Sequence, residues 1–535
     1  MEIITTALPY ANGPLHLGHM VEKIQADIYA RSKRFSGQSI VFVSGDDAHG
    51  VAIMLSAEKE GADPADYVKR IHAAHVADLA RFQISLDQYS STHSPYNQTI
   101  STGVYEAICK KGWCVKREIE HPYDSAKQMF LADRYVKGTC PKCGAVDQYG
   151  DGCEPCGAVY QSKELISPTS ALSQQPLEWR SSTHAFFVLE KARGHLQHWL
   201  DTAIMLPAVK NKLKEWFGQE LKPWDISRDA PYFGFPVPDL PSQYFYVWLD
   251  APCGYLASLA YWLEAHGFGR DWVDAWQSSR ITHFIGKDIL YHHGLFWPAM
   301  CQARGIKSPD ELCSHGFLRI NSEKMSKSRG TFIQAKDFPA SIPTDFMRYY
   351  IAAKLGVGIS DIDFNWPDFA QRVNADLVGK LVNLGSRLSR LLEKNCQCRM
   401  GQLVDHTARL TYMFEQQESI FQLYSEKNYQ QALRLIMSLT DQANQWISET
   451  KPWDLAKQGQ HQEMSGVLTA GLNIYRWLMH MISPICPDLS ARALAQFGQK
   501  PGYDHAKVLI QDVDILPFKP LASRVVLNED GTPHG

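Results

Sequence analysis

Two short stretches carry side chains suited to holding a polyphosphate: His16-Leu17-Gly18-His19 near the start of the chain, and Lys324-Met325-Ser326-Lys327-Ser328 far downstream. Around the first, a β-prone run, Met1–Thr6, is followed by a breaker-rich loop, Pro9–Pro14. Then comes Leu17–Phe35, whose apolar residues Met20, Ile24, Ile28 and Phe35 fit one face of a helix. His16 and His19 thus fall at a strand-loop-helix junction. The first N–H groups of a helix have no partner within it and attract anions, imidazole N–H groups add directed donors, and Gly18 lets a ligand approach the backbone. The second stretch sets two ammonium and two hydroxyl groups within five residues, followed by Arg329-Gly330, between β-prone runs at Gly316–Ile320 and Thr331–Ile333. Such a loop suits phosphate oxygens. Singly, each stretch has an ordinary alternative, capping or packing for the histidines and a solvated basic loop for the lysines. Their joint presence in this order favours phosphate chemistry.

Cysteine spacing points to a metal. Cys140-Pro-Lys-Cys143 and Cys153-Glu-Pro-Cys156 are two CxxC pairs nine residues apart, set among Gly138, Gly144, Gly150, Gly152 and Gly157. Each knuckle presents two thiolates, and four satisfy one tetrahedral Zn²⁺ with no open position, so the ion expected is structural. The other cysteines read as buried or surface thiols, because a 535-residue chain with no secretion signal is not a disulfide scaffold.

These groups must be carried on a frame, and an α/β frame is the expectation. Ser39–Asp47 is an apolar strand ending in carboxylates. Ligands collect beyond the carboxyl ends of parallel strands, which makes Asp47 a candidate for a substrate ammonium, although an acidic residue there also serves as a helix cap. Sheet character resumes at Tyr244–Leu249 and at Thr282–Ile285, the latter followed by Gly286-Lys287-Asp288, where glycine and carboxylate suit a ribose. Beyond Asp363 the chain reads as helical to about Gln496, with Phe369, Val373, Leu377, Leu381, Leu384, Leu388 and Leu391 forming one buried stripe. Asn383 and Arg387 lie one turn apart beside it, and Trp453 opens another segment. With 45% hydrophobic residues the chain can fill three or four packed units. No run of eighteen apolar residues and no signal segment occurs, so a soluble cytoplasmic protein without a membrane partner is expected. The net charge of −3 gives no global sign of nucleic-acid binding, and an RNA partner would be met by local patches.

Both motifs, in this order, resemble the class I aminoacyl-tRNA synthetases, within them the methionyl branch. HLGH stands for the class's first signature and KMSKS for its second. Thr6-Ala7-Leu8-Pro9-Tyr10-Ala11-Asn12-Gly13, Gly45-Asp46-Asp47-Ala48-His49-Gly50 and Tyr246-Val247-Trp248-Leu249-Asp250-Ala251-Pro252 look like methionyl segments, and matches run from Met1 to roughly Ala456. The resemblance implies activation of L-methionine by ATP, with Mg²⁺, to methionyl-adenylate and pyrophosphate. Transfer to the terminal adenosine of tRNA(Met) follows, for initiation and elongation of translation. His16, His19, Lys324 and Lys327 would bind phosphates, with Gly18, Gly286 and Asp288 holding the nucleotide. The methionine pocket would comprise Ala7, Leu8, Tyr10, Trp224, Trp248, Ala251, Pro252, Tyr255, Ile289 and His293. In it Tyr10 and His293 would donate toward sulfur, Asp47 would hold the ammonium and Arg228 would support the wall. Asn383, Arg387 and Trp453 match the positions that read the anticodon, by groups that bond and stack unpaired bases. Homocysteine, one methylene shorter, is expected to enter the pocket and be edited there.

The implied fold is a Rossmann-type parallel sheet with a zinc-knuckle connective insertion, followed by an α-helical anticodon-binding bundle. The segments expected are a first catalytic half, 1–114; the insertion, 115–229; a second catalytic half, 230–305; a stem-contact segment bearing KMSKS, 306–365; and the helical domain with its tail, 366–535. A monomer is expected, since the family's C-terminal dimerisation domain has no counterpart here. Another class I synthetase, a small-molecule nucleotidyltransferase and a non-catalytic RNA-binding paralogue are the rival readings.

Overall fold

The structure, a computed structural model, describes residues 1–269, 271–324, 332–403 and 407–533; of Lys324 it describes the backbone. Six parallel strands, β1 (Glu2–Thr6), β2 (Ile40–Asp46), β3 (Gln88–Ser91), β4 (Ile204–Met205), β5 (Arg280–Gly286) and β6 (Glu311–His315), form a sheet in the order β4-β6-β5-β1-β2-β3. β1 and β2 are buried along their whole length, as strands covered on both faces must be. Thr5 of β1 lies between Val43 of β2 and His283 of β5. The order of strands reverses at β1 and β5, so a crevice opens beyond Thr6 and Gly286, the switch point at which α/β sheets bind ligands.

The helix α1 (Leu17–Phe35) has the expected bounds but not the expected single apolar face. Glu22, Lys23, Gln25 and Asp27 are buried along with Met20, Ile24 and Ile28: Lys23 against the ends of β1 and β2, Glu22 beside His315 of β6, and Gln25 and Asp27 where later helices cover the side turned away from the sheet. Asp27 meets the wholly buried Arg348 at 2.6 Å, the Tyr429 hydroxyl donates to Gln25 O at 2.8 Å, and Phe35 stacks on Phe421. A buried pair of this kind is costly to break, about 3–5 kcal/mol when one partner is lost, since the other charge is stranded.

Three departures from the sequence reading concern strands. β4 lies inside the 115–229 span assigned to the insertion, so that span returns to the central sheet before it ends. Gln243–Phe245 pairs antiparallel with Ser227–Asp229 outside the parallel sheet, and Val247–Asp250 is a helical turn. Of the run after the KMSKS motif, Thr331 lies outside the described residues; Phe332 and Ile333 are not in a strand, and the next residue, Gln334, makes an isolated bridge to His16. The insertion is built on a long antiparallel pair, Cys114–Asp124 with Glu178–Phe187, and a three-stranded sheet carrying the four cysteines. Between Trp366 and Ala495 the described residues are mostly helical, and the predicted stripe is buried except for Leu391, which is partly exposed. The last segment folds back as extended chain, held where the Asn374 side chain bonds both N and O of Val525 at 2.8 Å. Among the described residues no helix is long and apolar enough to cross a membrane.

Candidate active site

The crevice beyond β1 and β5 is a cavity of 1290 Å³. Ala7, Leu8, Tyr10, His16, Gly18, His19, Asp47, Arg228, Trp248, Gly286, Asp288 and Ile289 all line it. His16 and His19 stack at 3.7 Å at the start of α1, and the His16 N–H donates to His19 Nδ1 at 3.3 Å. With Nδ1 accepting, the proton of His19 rests on Nε2. Burial, then His16 and Lys23, drives its pKa well below the usual range, so it is a neutral donor. Leu17 N–H donates to Ile333 O at 3.0 Å and Ala335 N–H to Leu15 O at 2.9 Å, which zips the segment after the KMSKS motif onto the HLGH turn. The HLGH turn is thereby joined by backbone bonds to Ile333 and Ala335, downstream of the second motif. Lys327 lies outside the described residues, and Lys324 is placed by its backbone opposite Arg319.

Adjacent carboxylates at the end of β2 point opposite ways, as strand geometry requires, and meet opposite fates. Asp46 is bonded by His72 and His75 at 2.5 Å each and by the Tyr89 hydroxyl. Burial pushes its pKa up, but the bonds from the histidines outweigh it and hold the group below the usual carboxylate range. Asp47 is buried with Oδ1 lacking any hydrogen-bond partner. Burial, reinforced by Asp250, raises its carboxyl well above the usual range. Although the His49 backbone bonds this carboxyl, a buried acid with one unpartnered oxygen in a cavity lining calls for a cation. The paired backbones of Tyr10 and Asp47, with Asp47 N–H donating to Pro9 O at 2.9 Å and Ala11 N–H to Asp47 O at 2.8 Å, hold the acid beside the phenol. At Gly286 the missing side chain leaves room for the Asp288 carboxylate, which would stand 2.5 Å from a Cβ there.

Five predicted pocket residues do not line this cavity. Ala251, Pro252, Tyr255 and His293 are buried outside its lining, and Trp224 lines a smaller neighbouring cavity with Arg228 and Tyr246 while stacking on Phe296 at 3.9 Å. His293 Nδ1 donates to Ile289 O at 3.2 Å, so Nε2 accepts from the Tyr255 hydroxyl at 2.8 Å. Burial lowers its pKa to about 4 and keeps it neutral. With both nitrogens engaged it has no proton to give a thioether; it orients Tyr255 instead. Burial and then Asp47 raise the Tyr10 pKa, so that phenol remains a donor. Trp248 stacks on His292 at 3.6 Å.

Sequence reading overlooked Glu22, Lys23 and His315, which also line the cavity. The buried Lys23 ties the ends of β1 and β2 together by bonds to Thr6 Oγ1 at 2.5 Å, Ala7 O at 2.7 Å and Ser44 Oγ at 2.9 Å. Burial lowers its pKa to about 8, with Glu22 and Asp46 pulling the other way. The available signal was its spacing, four residues after His19 and so on the same helical face.

The four cysteine sulfurs lie within 4.8 Å of one another, Cys140 to Cys156 at 3.8 Å and Cys143 to Cys153 at 3.5 Å. Four thiolates about 2.3 Å from a central Zn²⁺ would stand about 3.8 Å apart, so the donor set fits. The two knuckles are copies of one turn: Cys140 and Cys153 receive Gly144 and Gly157 N–H groups, and both glycines have positive φ, 75° and 67°. In the bundle Asn383 is exposed, and the Arg387 guanidinium lies 5.6 Å from the Trp453 ring centre.

A family model described as tRNA synthetases class I (M) matches residues 2–389. Methionine--tRNA ligases from two strains of Acidithiobacillus ferrooxidans, ATCC 53993 and ATCC 23270, are each 45% identical to this chain over 528 residues, covering 98% of it and 78% of the relative. The fold resembles that of Mycobacterium tuberculosis methionyl-tRNA synthetase in complex with methionyl-adenylate, with a TM-score of 0.81 at 23% identity, covering 97% of this chain and 99% of that one. Its apo form gives 0.73 at 21% identity, with 98% of each chain covered. With the parallel sheet, the cysteine knuckles and the helical bundle in place, the chain belongs to the methionyl class I aminoacyl-tRNA synthetase family.

Proposed function

We propose that the chain is a methionine--tRNA ligase: it activates L-methionine with ATP to methionyl-adenylate and pyrophosphate, then transfers methionine to the 3′-terminal adenosine of tRNA(Met). The observation that carries this reading is Asp47, a buried carboxyl with an unpartnered oxygen, in the same cavity as His16, His19 and Asp288. Asp47 receives the methionine ammonium. Tyr10 and Trp248 line the side-chain end, Ala251, Pro252, Tyr255 and His293 back it, and Arg228 supports its wall. Asp288 accepts from the ribose hydroxyls beside Gly286. With the amino acid and the α-phosphate so held, the carboxylate attacks phosphorus in line, and pyrophosphate leaves toward the HLGH turn. Such phosphoryl transfer needs alignment and charge neutralisation more than a protein nucleophile. His19 Nε2–H and His16 supply donors, and Lys324 and Lys327 supply positive charge where it develops negatively. ATP enters as its Mg²⁺ complex.

Cys140, Cys143, Cys153 and Cys156 hold one structural Zn²⁺, which supplies binding free energy to a lobe with a small core. Asn383, Arg387 and Trp453 read the anticodon. The division into catalytic halves (1–114, 230–305), insertion (115–229), stem-contact segment (306–365) and helical domain (366–535) belongs to the same reading, as do a monomeric state and a cytoplasmic location. Pyrophosphate exchange across an amino-acid panel, with and without tRNA, tests it. Exchange with methionine alone is expected; exchange with leucine or cysteine and not methionine would overturn the assignment.

A further inference from the structure

Beside Arg228, on the insertion side of the cavity, stands a charged cluster that the proposed chemistry does not use: His121, His184, Asp225 and Asp229. His184 lies near the end of the strand Glu178–Phe187, and each of its ring nitrogens meets a carboxylate. Nδ1 is 2.8 Å from Asp225 Oδ2, and Nε2 is 2.8 Å from Asp229 Oδ2. A neutral imidazole has one N–H and would set a lone pair against one of these oxygens; only imidazolium donates to both. The second oxygen of Asp229 is held by the Ser182 hydroxyl and by Gln243 Nε2 at 2.5 Å. The two aspartates bracket Arg228, whose guanidinium reaches Asp225 Oδ2 at 3.2 Å and lies 3.8 Å over the Tyr246 ring.

Taking the cavity as the methionine site proposed for it, we propose that imidazolium His184 is a positioning residue. By tying Asp225 and Asp229 to the insertion hairpin it neutralises them, and so holds Arg228 on the cavity wall instead of letting it collapse onto the carboxylates. His184 shares Asp225 Oδ2 with Arg228, so loss of its charge hands that oxygen wholly to the guanidinium. Burial would lower the His184 pKa, but the bonds to Asp225 and Asp229 outweigh it and push it up to about 9. The other groups facing it do not change this balance of charge at neutral pH. His121, stacked on it at 4.7 Å from the neighbouring strand, has its pKa lowered by burial and by His184. Asp229 is held below the usual range: burial raises it, and the bonds from His184 and Ser182 outweigh that. His121, His184 and Asp225 also bring ligand-type atoms within 4.8 Å of one another. With both nitrogens of His184 donating, the cation between the two carboxylates is a proton-bearing ring and not a metal ion.

The test is methionine-dependent pyrophosphate exchange by the full chain carrying its cysteine-bound metal, as wild type, His184→Gln, Asp229→Asn and the double variant, from pH 6 to 10. Absence of methionine exchange in the wild type would count against the functional reading and not against the clasp. Given exchange, His184→Gln is expected to raise the methionine KM about tenfold, with kcat and the ATP KM changed less than twofold. Combining it with Asp229→Asn, which restores the net charge, should bring KM back toward wild type. Because the substrate ammonium received by Asp47 also titrates over this range and raises KM in every form, the profile is read as the ratio of the His184→Gln methionine KM to that of the wild type, which should fall toward one through about pH 9. Equal losses for ATP and methionine, a further loss in the double variant, a ratio that does not change with pH, or a second bound metal ion per chain that disappears in His184→Gln would each overturn the proposal.

Discussion

At the residue scale, burial makes the Asp47 carboxyl expensive to ionise, and in the proposed site a bound ammonium would remove that cost. Asp47→Asn should lower kcat/KM for methionine roughly hundredfold, about 3 kcal/mol, and a methionine analogue lacking the amino group should support no exchange. The sign of the pH effect follows from the direction of the shift. A carboxyl whose folded pKa is raised binds more protons folded than unfolded, so its contribution to stability is full below the unfolded pKa, about 4, and falls as pH rises toward the raised value. Thermal melts of the methionine-free chain should therefore lose stability over that range relative to Asp47→Asn, and saturating methionine should shrink the difference. Lys327→Ala, acting where charge builds on the leaving pyrophosphate, should cost exchange about a hundredfold, roughly 3 kcal/mol, with little change in the methionine KM.

At the element scale, the cysteine lobe has the most separable stability. Its own apolar cluster, Met129, Leu131, Val136, Tyr160 and Leu165 with two of the cysteines, is small, so the metal proposed for the four cysteines would supply much of its folding free energy. A strong chelator should abolish amide-exchange protection across 136–170 while leaving β1, β2 and β5 protected. Loss of protection throughout the parallel sheet would show that the lobe is not independent. Spacing alone revealed this lobe, because a CxxC pair is a local signal; α1 was likewise legible to the residue from its periodicity and flanking breakers, and β1 to within one residue. β4 was not legible, because two residues, Ile204 and Met205, carry no period, and their strand character comes only from pairing with Glu311 and Leu312. Tyr244–Leu249 read as core strand because it is apolar, yet it packs as a short antiparallel pair and a helical turn beneath the pocket. Of the aromatic residues assigned to the pocket by family register alone, Tyr10 and Trp248 line the cavity, and Trp224 and Tyr255 do not. The engagement of both His293 nitrogens, and the role of Lys23, depend on neighbours brought in from Tyr255, Ser44 and Ala7, which no local pattern announces.

At the scale of the whole molecule, one apolar cluster runs from Ile4 and Phe42 of the sheet through α1 to Leu472 and Trp477 of the bundle. Ending the chain after Asp363 would expose that cluster and remove the partners of α1's outer face, so such a truncation should unfold and lose exchange altogether. That experiment therefore cannot separate a synthetase from a nucleotidyltransferase. Point variants can: Arg387→Ala and Trp453→Ala should lower kcat/KM for tRNA in aminoacylation by tenfold or more, about 1.4 kcal/mol, and leave tRNA-independent exchange unchanged. Equal loss in both assays would remove the bundle from RNA recognition. The arrangement of α1 has a mechanical corollary. Its nineteen residues make a rod about 28 Å long, with His19 at one tip and Phe35 wedged against Phe421 at the other. The rod is bolted midway by Asp27 to Arg348. A push delivered to the bundle end has no slack joint along the rod in which to dissipate, so it must either shear that bolt or arrive at the HLGH turn.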